Sequence, residues 1–383
     1  MLSHQILHAF ASPATKVKKG IYERDYQPTQ LPVSQVNQVL YAFANLSPNG
    51  TVYALDPYAD LQKRYDNDHW NDTGRNAHGC VKQLYLLKKA NRHLKVLLSV
   101  GGWTYSANFA DVSSTVAARS TFAKSAVTLM EDWGFDGLDV DWEYPADETQ
   151  ADNMLSLLRA TRDELDIYSA QYADRYHFLL TASVPAAPKQ YYISRLDQMV
   201  SLIDYFNLMA GTSYGHQANL YANPNNPAST PYSTNAAVES YLCAKIPANK
   251  IVLGIPLYGR SFEATNSLEG AYSGIDQVLP RQGATELYNK VADASYSYNN
   301  VSKELISYDN VHMIKRKIMY LQDKRLGGII FWEVSDDRYN NANLVTTSFR
   351  AQGSASLLHK KENLLSYPLS RYDNIRNNMP RDH

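Results

Sequence analysis

Cysteine is almost absent from this chain: Cys80 and Cys243 are the two thiols in 383 residues. Two cysteines cannot build a disulfide framework, so the fold must rest on a buried apolar core, and both thiols are expected to be free. A membrane-spanning run is also lacking, since no apolar stretch approaches the roughly 20 residues that such a helix needs. Charge of one sign is not in excess: 37 basic against 38 acidic residues leave a net −1, spread evenly. That balance recommends neither nucleic acid nor an anionic membrane as a partner. No internal repeat points to a solenoid. The amino terminus, MLSHQILHAFASPATKVKKG, has a short, mildly apolar piece (Ile6 to Ala11) but no basic start, and it reads poorly as a signal peptide.

What is present is a 44% hydrophobic composition, enough to bury a large core as one big domain or two small ones. Twenty-nine tyrosines are many for this length. Their rings suit the stacking of flat, apolar ligand faces such as those of sugars, and they equally fill cores and interfaces. From Gln35 onward, apolar strand-like segments alternate with amphipathic segments of helical length, the pattern of parallel βα units. Strands are expected at Gln38–Ala44, Leu94–Val100, Gly137–Trp142, His177–Val184, Leu202–Met209, Lys250–Leu257 and Gly327–Trp332. Helical periodicity falls between them at Cys80–Ala90, Ala117–Trp133, Thr149–Tyr168, Ala236–Lys245 and Val311–Asp323. A closed barrel of eight such units requires one more strand near the start.

The stretch Phe135-Asp136-Gly137-Leu138-Asp139-Val140-Asp141-Trp142-Glu143-Tyr144-Pro145 sets four carboxylates inside an otherwise apolar strand. At period two, Asp139, Asp141 and Glu143 point to one face. Three acids stacked on one side of a core strand would cost several kcal/mol if all were ionised, so at least one is expected to hold its proton. A general acid needs that arrangement, and Glu143, outermost in the row, would reach solvent where the strand ends. The other readings are a surface edge strand and a row of metal ligands. Val140 and Trp142 between the acids argue for burial on both faces, and no histidine lies near the row to complete a mixed ligand set.

The spacing Asp-x-x-Asp-x-Asp-x-Glu from Asp136 to Glu143 resembles the signature of glycoside hydrolase family 18, the chitinases and their lectin-like relatives. The surrounding sequence, from about Gly20 to Pro380, is similar to fungal-type endochitinases. The resemblance implies an α/β fold, a (β/α)8 TIM barrel over residues 15–350. It further implies a small α+β insertion over 261–310, after the seventh strand, and a carboxyl-terminal tail over 351–383 packed on the barrel. It places the first strand in Thr15–Arg24, where Lys16-Val17-Lys18-Lys19 replaces the usual apolar, aromatic text and Lys19 stands at the position of a sugar-stacking tryptophan.

The same resemblance implies hydrolysis of β-1,4 linkages between N-acetylglucosamine units in chitin and chitooligosaccharides, with retention and with the substrate's own acetamido group as nucleophile. Glu143 would be the general acid, Asp141 would hold the acetamido N–H, and Asp139 would share a proton with Asp141; Asp136 would tie the strand to its neighbours. Substrate would be lined by Phe43, Gly101, Gly102, Trp103, Tyr144, Met209, Tyr258, Arg260 and Trp332. Neither a metal nor an organic cofactor is implied, and the expected state is a secreted monomer. After Met209 the chain departs from the family text: Ala210-Gly211-Thr212-Ser213-Tyr214 runs directly into Gly215-His216-Gln217, without a Tyr-Asp pair. Tyr214 is a candidate substitute for the missing tyrosine. The alternative function is a chitin-binding, lectin-like protein with weak or no turnover.

Overall fold

The structure, a computed structural model, describes residues 4–9, 21–22, 24–68, 73–211, 215–263, 265, 275–278, 284–337, 343–353 and 361–379. Its strands are β1 (His4–Ala9), β2 (Gln38–Leu46), β3 (Val52–Tyr53), β4 (Lys95–Gly101), β5 (Gly137–Asp141), β6 (Leu179–Pro185) and β7 (Tyr205–Met209). They continue as β8 (Ile251–Pro256), β9 (Gly259–Phe262), β10 (Ile275–Val278), β11 (Thr285–Asn289), β12 (Ala294–Asn299), β13 (Glu304–Ser307) and β14 (Gly328–Trp332). The helices used below are α1 (Gly79–Ala90), α2 (Phe109–Ser114), α3 (Val116–Asp132) and α4 (Glu148–Tyr172). The chain divides into two compact units. One comprises His8–Ser183, Ile193–Phe206 and Leu358–His383; the other comprises Met1–Leu7, Val184–Tyr192 and Asn207–Leu357.

In the larger unit β2, β4, β5 and β6 run parallel, with Leu97 opposite Gly137 and Gly137 opposite Leu179. Every residue of β4 and β5 is buried, as expected where both faces of a parallel sheet are covered. The register sets Asp139 between Ser99 on one neighbouring strand and Thr181 on the other. Helices α3 and α4 pack together beside the sheet. Each begins on a side-chain cap: Thr115 accepts from the Ala118 N–H, and Asp147 from the Gln150 N–H.

Residues 361–379 bind the same unit at the amino-terminal end of β5. The Asn363 amide donates to the carbonyls of Lys88 (2.9 Å) and Leu94 (2.7 Å), and the Tyr367 hydroxyl donates to that of Phe135 (2.8 Å). Arg371 pairs with buried Asp132 at the end of α3, and Asn374 donates to Ala77. Asp136 itself is buried and receives the N–H groups of Val96 and Leu364, the Tyr176 hydroxyl and the Lys88 ammonium. This acid therefore ties the strand's start to its neighbours.

In the other unit β1 lies parallel to β14, His4 opposite Gly328, and β14 lies parallel to β8, Gly328 opposite Val252. This corrects the expectation that the first strand lies in Thr15–Arg24: Ile21 and Tyr22 are in a turn, and Thr15–Gly20, with Lys19, are outside the described residues. A parallel partner for β14 needs residues that suit a sheet interior. His4-Gln5-Ile6-Leu7-His8-Ala9 supplies isoleucine and leucine, whereas Lys16-Val17-Lys18-Lys19 would bring three cations. A separate antiparallel sheet, in the order β10-β9-β13-β12-β11, follows β8 in sequence. Cys80 is buried and Cys243 exposed, both as free thiols.

Candidate active site

The acid row begins at the centre of β5 and runs past its carboxyl end. Asp139, fully buried, receives the hydroxyls of Ser99 (2.7 Å) and Thr181 (2.6 Å), which fix its carboxylate from both neighbouring strands. Asp141 is also buried, and its pKa is raised well above the usual carboxylate value. Burial is the main cause, followed by the charges of Glu143 and then Asp139, with a hydrogen bond from Ser183 opposing them. Its Oδ1 is buried and without a hydrogen-bond partner among the described residues. Glu143, half-buried two residues beyond the strand, also has a raised pKa, caused by burial. Its carboxylate accepts from the Tyr144 hydroxyl and from the Trp103 backbone N–H, both of which favour the ionised form.

The end of β4 forms the wall beside this row. Gly101 and Gly102 have φ of 111° and 76°, a region that side chains avoid. A Cβ on Gly101 would lie 2.3 Å from the Asp141 carbonyl oxygen, and one on Gly102 would lie 2.5 Å from the Phe43 ring. The paired glycines therefore let β4 turn against the acid strand on one side and against Phe43 on the other. Phe43 sits at an irregularity in the β2–β4 register, between Ala42 and Ala44. Trp103, 74% exposed, opens a short 3-10 helix, Trp103–Asn108, so the residue is free to meet a ligand. The peptide bonds Ala42–Phe43, Glu143–Tyr144 and Trp332–Glu333 are cis.

The larger unit thus brings together Phe43, Gly101, Gly102, Trp103, Asp139, Asp141, Glu143 and Tyr144. The other expected site residues belong to the second unit. Met209 ends β7 half-buried, and Tyr258 lies half-buried between β8 and β9. Arg260 lies in β9 opposite Gln277 and Ser307, with a buried Nε that has no hydrogen-bond partner among the described residues. Trp332 ends β14 opposite Pro256, and its carbonyl accepts from the Leu257 N–H (2.8 Å). Tyr214 lies outside the described residues. Sequence reasoning missed four hydroxyls that hold the row: Ser99 and Thr181 on Asp139, Ser183 on Asp141, and Ser106, which accepts from the Glu143 backbone N–H at 2.8 Å. Period-two counting along β4 and β6 finds the first three, because Ser99, Thr181 and Ser183 face the same way as the acids once the strands are in register. Nothing local marks Ser106.

A row of carboxyls that crowd one another, with burial favouring the protonated form of the outermost, is the equipment of an acid–base enzyme. Residues 18–337 match the family described as Glycosyl hydrolases family 18. The chain is 52% identical over 378 residues to Endochitinase 1 of Metarhizium robertsii, covering 94% of this chain and 88% of that protein. It is 48% identical over 388 residues to Chitinase 1 of Aphanocladium album, covering 97% and 91%. Among solved structures, a chitinase from Bacillus thuringiensis superposes with a TM-score of 0.81 at 27% identity, over 91% of this chain and 70% of that one. The catalytic domain of a psychrophilic chitinase B from Arthrobacter superposes at 0.80 and 25% identity, over 94% and 98%. The chain belongs to glycosyl hydrolase family 18 and has that family's (β/α)8 barrel fold.

Proposed function

We propose that the protein is a chitinase that hydrolyses β-1,4 linkages between N-acetylglucosamine units of chitin and chitooligosaccharides, acting within the chain and with retention of configuration. The observation that carries this reading is the Asp139–Asp141–Glu143 row, with a raised pKa on its two outer members. Its support in sequence is the identity of about half the residues to proteins described as Endochitinase 1 of Metarhizium robertsii and Chitinase 1 of Aphanocladium album.

In this reading Glu143, whose protonated form burial favours, gives its proton to the glycosidic oxygen. The carbonyl of the substrate's own 2-acetamido group attacks the anomeric carbon, forming an oxazolinium ion. Asp141 accepts the acetamido N–H, a role that would use its unpartnered Oδ1, and stabilises the positive charge that develops there. Asp139, held by two hydroxyls, keeps Asp141 in line and shares its proton. Water activated by the Glu143 carboxylate then opens the oxazolinium. Phe43, Trp103, Tyr144, Met209, Tyr258, Arg260 and Trp332 line the substrate, and Gly101 and Gly102 provide room for it. Residues 15–350 form the catalytic barrel, 261–310 its insertion and 351–383 its tail, in a monomer that works outside the cell. Among the described residues no helix is long and apolar enough to cross a membrane.

The test is Glu143→Gln, assayed on fluorogenic chitobioside and chitotrioside beside a chitin pull-down. Turnover should disappear while binding to chitooligosaccharide is retained. Cleavage at the parental rate would remove Glu143 from the mechanism. The lectin-like alternative is not favoured, because the terminal acid of the motif is retained; it would be supported by a parental protein that binds chitin without cleaving it.

A further inference from the structure

Behind Glu143 lies a closed set of hydrogen bonds centred on a residue that carries no charge. Ser106 Oγ accepts the Glu143 backbone N–H (2.8 Å). The same hydroxyl reaches the carbonyl oxygens of Gly102 (2.9 Å) and Asp141 (3.3 Å). The Gly102 N–H in turn donates to the Asp141 carbonyl (2.7 Å), and the next residue, Trp103, presents its N–H to the Glu143 carboxylate. Ser106 therefore adds a second link, beside the Gly102–Asp141 hydrogen bond, between the main chain that carries the acid row and the turn that carries a donor to the acid's carboxylate. It is buried, so water does not replace it readily.

We propose that Ser106 is a positioning residue for the hydrolytic reaction: its hydroxyl fixes the Glu143 backbone and the Gly102–Trp103 turn as one piece, so that the carboxyl meets the glycosidic oxygen in reactive geometry. The proposal rests on the assignment of Glu143 as the acid. Loss of the hydroxyl frees the Glu143 N–H and loosens the turn, and a displacement of a fraction of an ångström at a proton donor is costly in rate. Substrate contacts elsewhere are untouched. The effect should therefore fall mainly on kcat, with a small change in KM through the Trp103 ring.

The experiment compares Ser106→Ala, Ser106→Thr and Glu143→Gln with the parent on a fluorogenic chitotrioside across pH, with melting curves for each. Ser106→Ala should lower kcat about tenfold with KM within about twofold. The basic limb of its kcat–pH profile should move up, because the Trp103 N–H that favours ionised Glu143 is no longer held in place. Ser106→Thr, which keeps the hydroxyl, should restore both kcat and the limb. If Ser106→Ala keeps parental kcat and an unmoved limb while Glu143→Gln is inactive, the proposal for Ser106 is overturned and the acid assignment stands. A loss of rate that only follows the loss of folded protein, with the limb unmoved, overturns it too. An active Glu143→Gln would overturn the acid assignment and the proposal with it.

Discussion

Asp136→Ala should be among the most destabilising single substitutions in the larger unit. The carboxylate is fully buried and has four partners: the Lys88 ammonium at 2.9 Å, the N–H groups of Val96 (2.8 Å) and Leu364 (3.0 Å), and the Tyr176 hydroxyl (3.2 Å). Its removal leaves the equally buried Lys88, among the described residues, with the Gly134 carbonyl and the Tyr367 hydroxyl as its hydrogen-bond acceptors. Taking one partner from a buried ion pair costs about 3–5 kcal/mol, because the other charge stays behind without compensation. At about 2–4 °C per kcal/mol for a domain of this size, Tm should fall by about 10 °C.

The loss should also depend on pH in a defined direction. Burial lowers the Lys88 pKa to about 8, against the opposing pull of Asp136. Without that pull the variant's Lys88 pKa falls further, so at pH 6 the variant must bury this lysine either unpaired or stripped of its proton; as pH rises past 8 the parent's Lys88 sheds its proton too, and the gap between variant and parent should narrow. The assay is thermal melting by circular dichroism at pH 6 and pH 9, with Lys88→Met alone and combined with Asp136→Ala. The double variant should be more stable than the sum of the single losses. A Tm within about 2 °C of the parent for Asp136→Ala, or strictly additive losses, would refute the reasoning.

Two further outcomes follow from the site. Asp141→Asn should abolish most activity yet raise Tm at pH 7. The folded Asp141 keeps its proton above the pH near 3.9 where an unfolded aspartate releases it, so this group makes stability fall as pH rises. Asparagine removes that dependence, and the Tm difference should close as pH approaches 4; a lower Tm for the variant at pH 7 would contradict it. Gly102→Ala should lower Tm and raise KM for chitooligosaccharides, since φ of 76° disfavours a side chain and its Cβ would press on the Phe43 ring at 2.5 Å. Unchanged KM in a folded variant would place Phe43 outside the binding surface.

The buried strands were the most legible part of the chain. Lys95–Gly101 and Gly137–Asp141 are buried along their whole length, and Val and Leu bounded by Gly announce such strands with little ambiguity. Helices were legible where a capping side chain precedes an amphipathic run, as Asn310 does before Val311–Lys324. The first strand was not. Its sequence, with two histidines and a glutamine, becomes a strand through pairing with Gly328–Phe331, a preference that no local window contains.

The candidate site divides in the same way. The acids declare themselves because buried charge is costly and its spacing is regular. Ser99, Thr181 and Ser183 are ordinary small residues until the register places them against Asp139 and Asp141. Ser106 acts through an irregular turn, where periodicity has nothing to say. The antiparallel sheet was half visible: Ala294–Asn299 and Glu304–Ser307 have alternating strand text, whereas Thr285–Asn289 is exposed and polar and takes its form from pairing with Ala294–Tyr298.

The segment 361–379 sets an order of events during synthesis. Asp136 receives the Leu364 N–H across 228 residues of sequence, and Lys88 donates to the Tyr367 hydroxyl across 279. On a ribosome, the strand that carries the acid row is made long before the residues that satisfy the buried charges at its base. The larger unit can collapse early, but its last buried ion cluster is completed only when residues 364–367 have emerged. A nascent chain halted before them should lack the protected amide protons of β5, and release of the full chain should restore them.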